Sequence, residues 1–227
     1  TVTDTIYRAD AVILALGGAS YPGTGSSGDG YEMARKLGHT VTPILPSLVP
    51  LETEEAWPKD VQGLSLRNVR VKLLVDGEER QNLFGEMMFT HFGVTGPIIL
   101  SLSREAARTL YEKRFVELEM DLKPALTPEK LDARILRDFS AAQNRDFENS
   151  LSALLPRSMI PVVIARSGID PLQKVNSITK QQRQALLETI KCFSVPIACK
   201  APVEDAIVTS GGVKVSEVNA KTMESKR

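Results

Sequence analysis

The segment LALGGASYPGTGSSGDGYEMARKLG, residues 14–38, holds a literal G-x-G-x-x-G at Gly23, Gly25 and Gly28. Where such a motif forms the turn from a strand into a helix, its glycines let the backbone approach a dinucleotide, and the amide end of the helix receives the diphosphate. Position and charge both argue against that use here. Gly17 to Pro22 separate the apolar run from Gly23, and Asp29 and Glu32 already bring carboxylates to the start of YEMARKLG, where a phosphate would meet like charge. The ribose-binding acid belongs about twenty residues further on, at the end of a second strand. That place is taken by a proline-marked stretch. The motif therefore reads as a loop leading into a capped helix that ends at Gly38. Gly17 and Gly18 are the stronger ligand-facing pair, because two residues without side chains at a strand terminus let a ligand reach the main chain.

His91 lies in MMFTHFGVTGPIILSLSREAARTL, where Gly93, Gly96 and Pro97 end a strand and launch a helix. That geometry presents side chains and unpaired amides together. A functional and a purely structural histidine are both compatible with it. His39, just after Gly38, reads as a surface residue or a partner for the helix dipole. No G-x-S-x-G is present, and two histidines offer little to a hydrolytic triad or a metal. Cys192 and Cys199 lie seven apart in CFSVPIAC; in one strand they face opposite ways, so they read as buried thiols and not as a disulfide. Residues 157–200 hold Arg157, Arg166, Lys174, Lys180, Arg183, Lys191 and Lys200 against Asp170 and Glu188. This is either a solvated helical face, the simpler reading, or a patch for nucleic acid.

The elements that position these residues follow from periodicity. DAVILALGG (10–18) is continuously apolar, the pattern of a strand covered on both faces, and DAIVTSGGV (205–213) repeats the design, each stopping at a glycine pair. Prolines at 43, 46 and 50 and the KAPVED stretch mark crossings between domains. LRNVRVKLLVDGEERQ predicts a hairpin about Asp76-Gly77, and FVELEMDL predicts a strand with one wet face. LTPEKLDARILRDF opens a helix with Thr127 as cap and Pro128 in its first turn. DFENSLSALL, MIPVVIARSG and TKQQRQALLETIK continue the helical texture, the last with Thr179 and Gln182 at capping-box spacing. CFSVPIACK returns to strand.

In bulk, 227 residues with 42% hydrophobic and 25% charged content suit a globular chain of about two units. Lysine plus arginine equals aspartate plus glutamate at 28 each, so no overall field steers the molecule to nucleic acid or an anionic membrane. The runs Ala11 to Leu16 and Ile160 to Ala165 are too short to span a bilayer, and no signal stretch opens the sequence, so a cytoplasmic protein without membrane contact is expected.

Four stretches together resemble a known family: Ala9 to His39, PSLVPL (46–51), MFTHFGVTGP (88–97) and VTSGGVKVSEVNAKTMESK (208–226). In order and spacing they are similar to the bacterial FAD-dependent flavoproteins called YhiN-like or BaiN-like, within the NAD(P)/FAD-dependent oxidoreductases. The resemblance implies an α/β fold, a partial Rossmann-type FAD-binding domain at 1–46 and 203–227, interrupted by an insert at 47–202. That insert would be a β-barrel, about 47–125 and 190–202, carrying a helical subdomain at about 126–189. It further implies FAD contacts at Gly17, Gly18, Ala19, Ser20, Gly211, Gly212, Val213 and Met223, a catalytic His91 facing flavin or substrate, no metal, and NAD(P)H as a possible reductant.

The family carries its diphosphate fingerprint before the DAVIL run and a further flavin segment after MESK. This sequence opens at TVTDTIYRAD and stops at MESKR, so the expectation is a middle fragment with weak or absent FAD binding and no activity alone. The parent is expected to move hydride between flavin and a small organic substrate, by reduction of an unsaturated ring or oxidation of a small amine. Alternatives are recognition of a macromolecule such as structured RNA, and a structural insert making homodimer contacts.

Overall fold

The computed structural model describes residues 8–199 and 202–227, with the side chain of Cys199 outside that description. In chain order the regular elements are α1 (Asp29–Lys36), β1 (Leu45–Ser47), β2 (Leu51–Thr53), β3 (Ser65–Val75), β4 (Glu78–Phe89), β5 (Gly93–Thr95), α2 (Pro97–Tyr111) and β6 (Val116–Asp121). There follow α3 (Pro128–Ser140), α4 (Ile160–Ser167), α5 (Lys180–Lys191), β7 (Phe193–Cys199) and β8 (Val208–Ser210). The chain divides into two compact units, one of the described residues up to Pro46 with Pro202–Arg227, the other from Ser47 through β7.

The larger unit is a closed antiparallel barrel in the order β2-β5-β4-β3-β6-β7, with helices packed on it. Its longest hairpin turns at Asp76 and Gly77, with φ of 50° and 83°, the left-handed pair that a two-residue turn requires. The Asp76 carboxylate also accepts from Phe115 N–H at 3.1 Å and Arg114 Nε at 2.7 Å, which ties the turn to the start of β6. Alternation in β6 buries Val116, Leu118 and Met120 and leaves the intervening acids half exposed. One continuous apolar core runs from Leu51 to Ile197, joining the barrel interior to the buried faces of α2 to α5.

The helices start where their caps stand. Thr127 Oγ1 accepts from Lys130 N–H, and Thr179 and Gln182 form a complete capping box. DFENSLSALL departs from the helical expectation: only a 3-10 turn at Phe147–Ser150 forms, followed by turns that tuck Leu151, Leu154 and Leu155 into the core. Cys192 is also corrected. It ends α5 ahead of the strand and is exposed.

The smaller unit contains α1 and a two-stranded sheet of β1 and β8. Residues 10–18, expected as a doubly covered strand, join no strand, and Val12 and Ile13 are 78% and 89% exposed. A strand needs a neighbour for its backbone groups, and none among the described residues pairs with this run. Helix α1 is capped by Gly28 at φ 87° without a side-chain hydrogen bond; Asp29 and Glu32 do stand in its first turn, but Asp29 accepts from Ser27 Oγ at 2.8 Å and does not cap the helix. Among the described residues no helix is long and apolar enough to cross a membrane.

Candidate functional site

In the smaller unit the chain folds back so that the two glycine-ended runs meet. Thr209 Oγ1 accepts from Ala19 N–H at 2.9 Å and shares a hydrogen bond with Ser20 Oγ at 2.8 Å. Around this clasp lies an open cleft of about 510 Å³, lined by Gly17, Gly18, Ser20, Tyr31, Ser26 and Thr209 among others. A Cβ on Gly18 would stand 2.6 Å from Thr209 Oγ1, and one on Gly17 would stand 2.8 Å from Ser26 Oγ. Gly18 is therefore held to glycine by the packing of Thr209, and Gly17 by its backbone, at φ 72°. Tyr31 spans the region, its hydroxyl close to Gly18 and its ring edge close to Gly212.

The remaining cofactor-side candidates lie outside that lining. Gly211 has φ 91°, and a Cβ there would sit 2.0 Å from Pro43 O, so only glycine fits. Gly212 exchanges hydrogen bonds with Thr42, its O accepting from Thr42 N–H at 2.8 Å and its N–H donating to Thr42 Oγ1 at 3.1 Å. Val213 bridges to Val41, and Met223 is exposed in the turn where its N–H donates to Asn219 O at 2.8 Å. Tyr31 and Thr209 carried no motif in the sequence; only the meeting of residues 190 apart reveals Thr209.

His39 is not a surface residue: its side chain is 8% exposed. Its Nδ1 lies 3.3 Å from Glu217 Oε2 and its Nε2 2.9 Å from Ser225 Oγ. Glu217 also accepts from Arg227 Nη2 at 2.7 Å and from Thr40 N–H and Oγ1 at 2.8 Å each. The Arg227 and Thr40 donors hold its carboxyl at about 2, below the ordinary 4.5.

His91 belongs to the larger unit, on the turn from β4 to β5. Thr90 N–H donates to Gly93 O at 2.8 Å and Gly93 N–H to Thr90 Oγ1 at 3.0 Å, so the turn is closed on itself. A Cβ on Gly93 would lie 2.1 Å from Leu51 O, and Gly96, at φ 103°, passes 2.8 Å from Met87 Cα in the same sense. This tight seating holds an exposed His91 edge-to-face against Phe92, ring centroids 4.9 Å apart. Among the described residues its ring has no hydrogen-bond partner.

The basic stretch 157–200 is largely neutralised by tertiary pairing. Lys191 pairs with Asp121 at 2.5 Å, Arg183 with Asp132 at 2.7 Å and Lys174 with Asp146 at 2.7 Å. Arg166 pairs with Glu55, donates to Ser194 O at 2.7 Å and lies 4.4 Å over the Phe193 ring. The position of Lys200 lies outside the described residues.

An FAD molecule would meet a divided set of residues. The cleft at Gly17, Gly18, Ser20 and Thr209 is lined by main chain, hydroxyls, tyrosine rings and the aliphatic Ile207 and Val208, with no charged side chain, a lining compatible with an uncharged part of the cofactor. The diphosphate is not matched there, and α1 opens with Asp29 and Glu32.

The family model described as "HI0933-like protein barrel and H2TH domain" matches residues 45–208, well over half of the chain. The chain is 27% identical over 220 residues to the 3-dehydro-bile acid delta(4,6)-reductase of Clostridium scindens, covering 97% of this chain and 54% of that protein. It is 26% identical over 218 residues to the ribosomal RNA dihydrouridine synthase of Escherichia coli, covering 96% of this chain and 52% of that protein. The Haemophilus influenzae protein of the same name is 26% identical over 224 residues, 99% of this chain and 53% of that protein. The chain thus spans about half the length of the curated relatives it matches. With the closed barrel and its helices inside the matched span, the chain belongs to the HI0933-like protein family.

Proposed function

We propose that the whole protein is a flavin-dependent reductase that adds hydrogen across a ring carbon–carbon double bond, with FAD as cofactor and a nicotinamide as reductant. One observation carries this reading: relatives named for unlike substrates, a bile acid and a ribosomal RNA base, both align with nearly all of this chain. What such reactions have in common is reduction of an unsaturated ring. When bound, FAD supplies the hydride at N5.

The chain's own residues take the other parts. Gly17, Gly18, Ser20 and Thr209 receive an uncharged portion of the cofactor, with Tyr31 closing one side of the cleft. Met223, Gly211, Gly212 and Val213 shape the adjoining chain. His91 is the proton donor: a ring nitrogen protonates the carbon next to the one that takes hydride, so one proton and one hydride complete the addition. Its exposure on a closed turn, without a protein partner among the described residues, suits a group that must meet substrate.

The purified whole protein should show the flavin absorbance bands and lose them on anaerobic addition of NADH or NADPH. His91→Ala should leave that bleaching intact and slow reoxidation by substrate by about 100-fold or more, flattening its pH profile. Absence of flavin, or an unchanged oxidative half-reaction, would refute the corresponding assignment.

A further inference from the structure

Most cations of the helical region are spent on carboxylates, which throws one lysine into relief. Lys123, just after β6, is half-buried, yet among the described residues no carboxylate lies within ion-pair distance of its ammonium. Its main chain is pinned on both sides: its N–H donates to Asp121 Oδ1 at 2.9 Å, and its carbonyl accepts from Lys191 Nζ at 3.4 Å. The side chain therefore starts from a fixed point. Burial pushes its pKa down from the ordinary 10.5, and the like-charged Arg134 guanidinium adds to that effect. Arg134 itself is held by Asp138 at 2.6 Å. More of this amine is unprotonated near neutral pH than of an exposed lysine, and the unprotonated amine is the nucleophile.

The surroundings suit covalent capture of a small molecule. Lys123 lines a cleft of about 220 Å³ to which Val69, Leu122 and Met159 bring buried apolar surface and Arg67 and Asn68 bring exposed polar groups. No carboxylate lines this cleft, and Arg67, like Lys123, has no ion-pair partner among the described residues. Sites for drug-sized ligands enclose about 300–1,000 Å³, so a space of this volume suits a molecule of only a few heavy atoms. A desolvated amine beside a second cation is the setting in which a lysine adds to a carbonyl carbon. An unpaired guanidinium lining the same space matches a carboxylate or phosphate group on the same molecule, because its fork of donors fits two oxygens at once.

We infer that the cleft between barrel and helical part binds a small carbonyl compound bearing an acidic group, such as a 2-oxo acid, through a reversible imine to Lys123, with Arg67 pairing the acidic group. The neutral Nζ adds its lone pair to the carbonyl carbon, and the carbonyl π pair passes to oxygen, which takes up a proton. Nitrogen then gives up its protons as the C–O bond breaks, the oxygen leaves as water, and the C=N bond forms. Amine plus carbonyl gives imine plus water, so no oxidant or reductant is consumed, and hydrolysis restores the lysine. The site lies wholly within the larger unit and is independent of the reduction proposed above, so either can fail alone.

The test uses the whole protein with glyoxylate as probe and sodium cyanoborohydride to reduce the imine to a stable secondary amine, the labelled lysines being located by peptide mass spectrometry. Lys123 should be labelled at least about tenfold faster than Lys180, an exposed cation outside the cleft. Its labelling rate should saturate as glyoxylate rises, whereas that of Lys180 should increase in proportion. Arg67→Gln should slow labelling of Lys123 by glyoxylate about fivefold or more. The same variant should leave labelling by formaldehyde, which carries no acidic group, unchanged. Flavin content and flavin reduction should be the same in Arg67→Gln and in the parent, which shows that the fold is kept. Labelling of Lys123 no faster than that of Lys180, or a rate that never saturates, overturns the site. An equal loss of glyoxylate and formaldehyde labelling in Arg67→Gln overturns the recognition of an acidic group.

Discussion

The two units of this chain are held together by different physics. Residues from Ser47 through β7 close a six-stranded barrel around a single apolar core in which Leu73, Phe89, Leu118 and Phe193 are essentially inaccessible. The unit formed by the chain up to Pro46 with Pro202–Arg227 buries almost no large apolar side chain, and Val12, Ile13, Leu14 and Leu16 stay exposed. Its cohesion comes from hydroxyls and one carboxylate: Thr209 on Ala19 and Ser20, Thr42 on Gly212, and Glu217 on Thr40, His39 and Arg227. Burial of apolar surface is additive and non-directional. Hydrogen bonds contribute about 1 kcal/mol each and only in the right geometry. One unit is therefore a scaffold, and the other is a set of strapped loops around an open cleft.

Leu118→Ala tests the scaffold most severely. Emptying that fully buried site should cost about 2–5 kcal/mol in urea unfolding while leaving amide exchange at Ala19 and Thr40 unchanged. Loss of protection at Ala19 as well would erase the distinction between the units. Acid should act on the other side. Because the Glu217 carboxyl is depressed in the folded state, its contribution is fully present above about 4.5, shrinks as pH falls below that value and is gone below about 2. Exchange of the Thr40 amide should accelerate over that window, and Glu217→Gln should abolish this pH dependence. Thr209→Val keeps the shape but leaves Ala19 N–H without its acceptor, so local opening at Ala19 should become about 1–3 kcal/mol easier with the barrel untouched. The smallest effect is expected at the helical cap: Thr179→Ala removes the acceptor of Gln182 N–H and should cost about 1 kcal/mol of global stability. No detectable loss there would mean that α5 owes its start to packing alone.

How readable each region was follows the same division. The Asp76-Gly77 turn, the alternation of β6, the Thr127 and Thr179 caps, and the Gly96-Pro97 launch of α2 are local matters, decided by backbone preference and periodicity within a few residues. They stood in the sequence as they stand in the fold. Failures came wherever a partner had to come from elsewhere. Residues 10–18 have the composition of a buried strand but no strand among the described residues to pair with. His39 read as a surface residue or a partner for the helix dipole, and the surface alternative fails because Glu217, 178 positions away, was not in view. The cations of residues 157–200 read as a solvated face or else a nucleic-acid patch, and neither reading could foresee that Arg166, Lys191, Arg183 and Lys174 pair with Glu55, Asp121, Asp132 and Asp146 from other segments.

The sequence by itself determined the local elements, the position of a glycine-framed turn that holds His91, and, through four stretches in order, the family. Tertiary structure alone decided which glycines border a cleft, that Thr209 and Tyr31 belong beside them, and which cations are spent on carboxylates. The physical reason is range. Torsional preference and side-chain periodicity act over a few residues, whereas ion pairs, desolvation and cleft shape arise between atoms that lie from 28 to 190 positions apart in the sequence and that only the fold brings together.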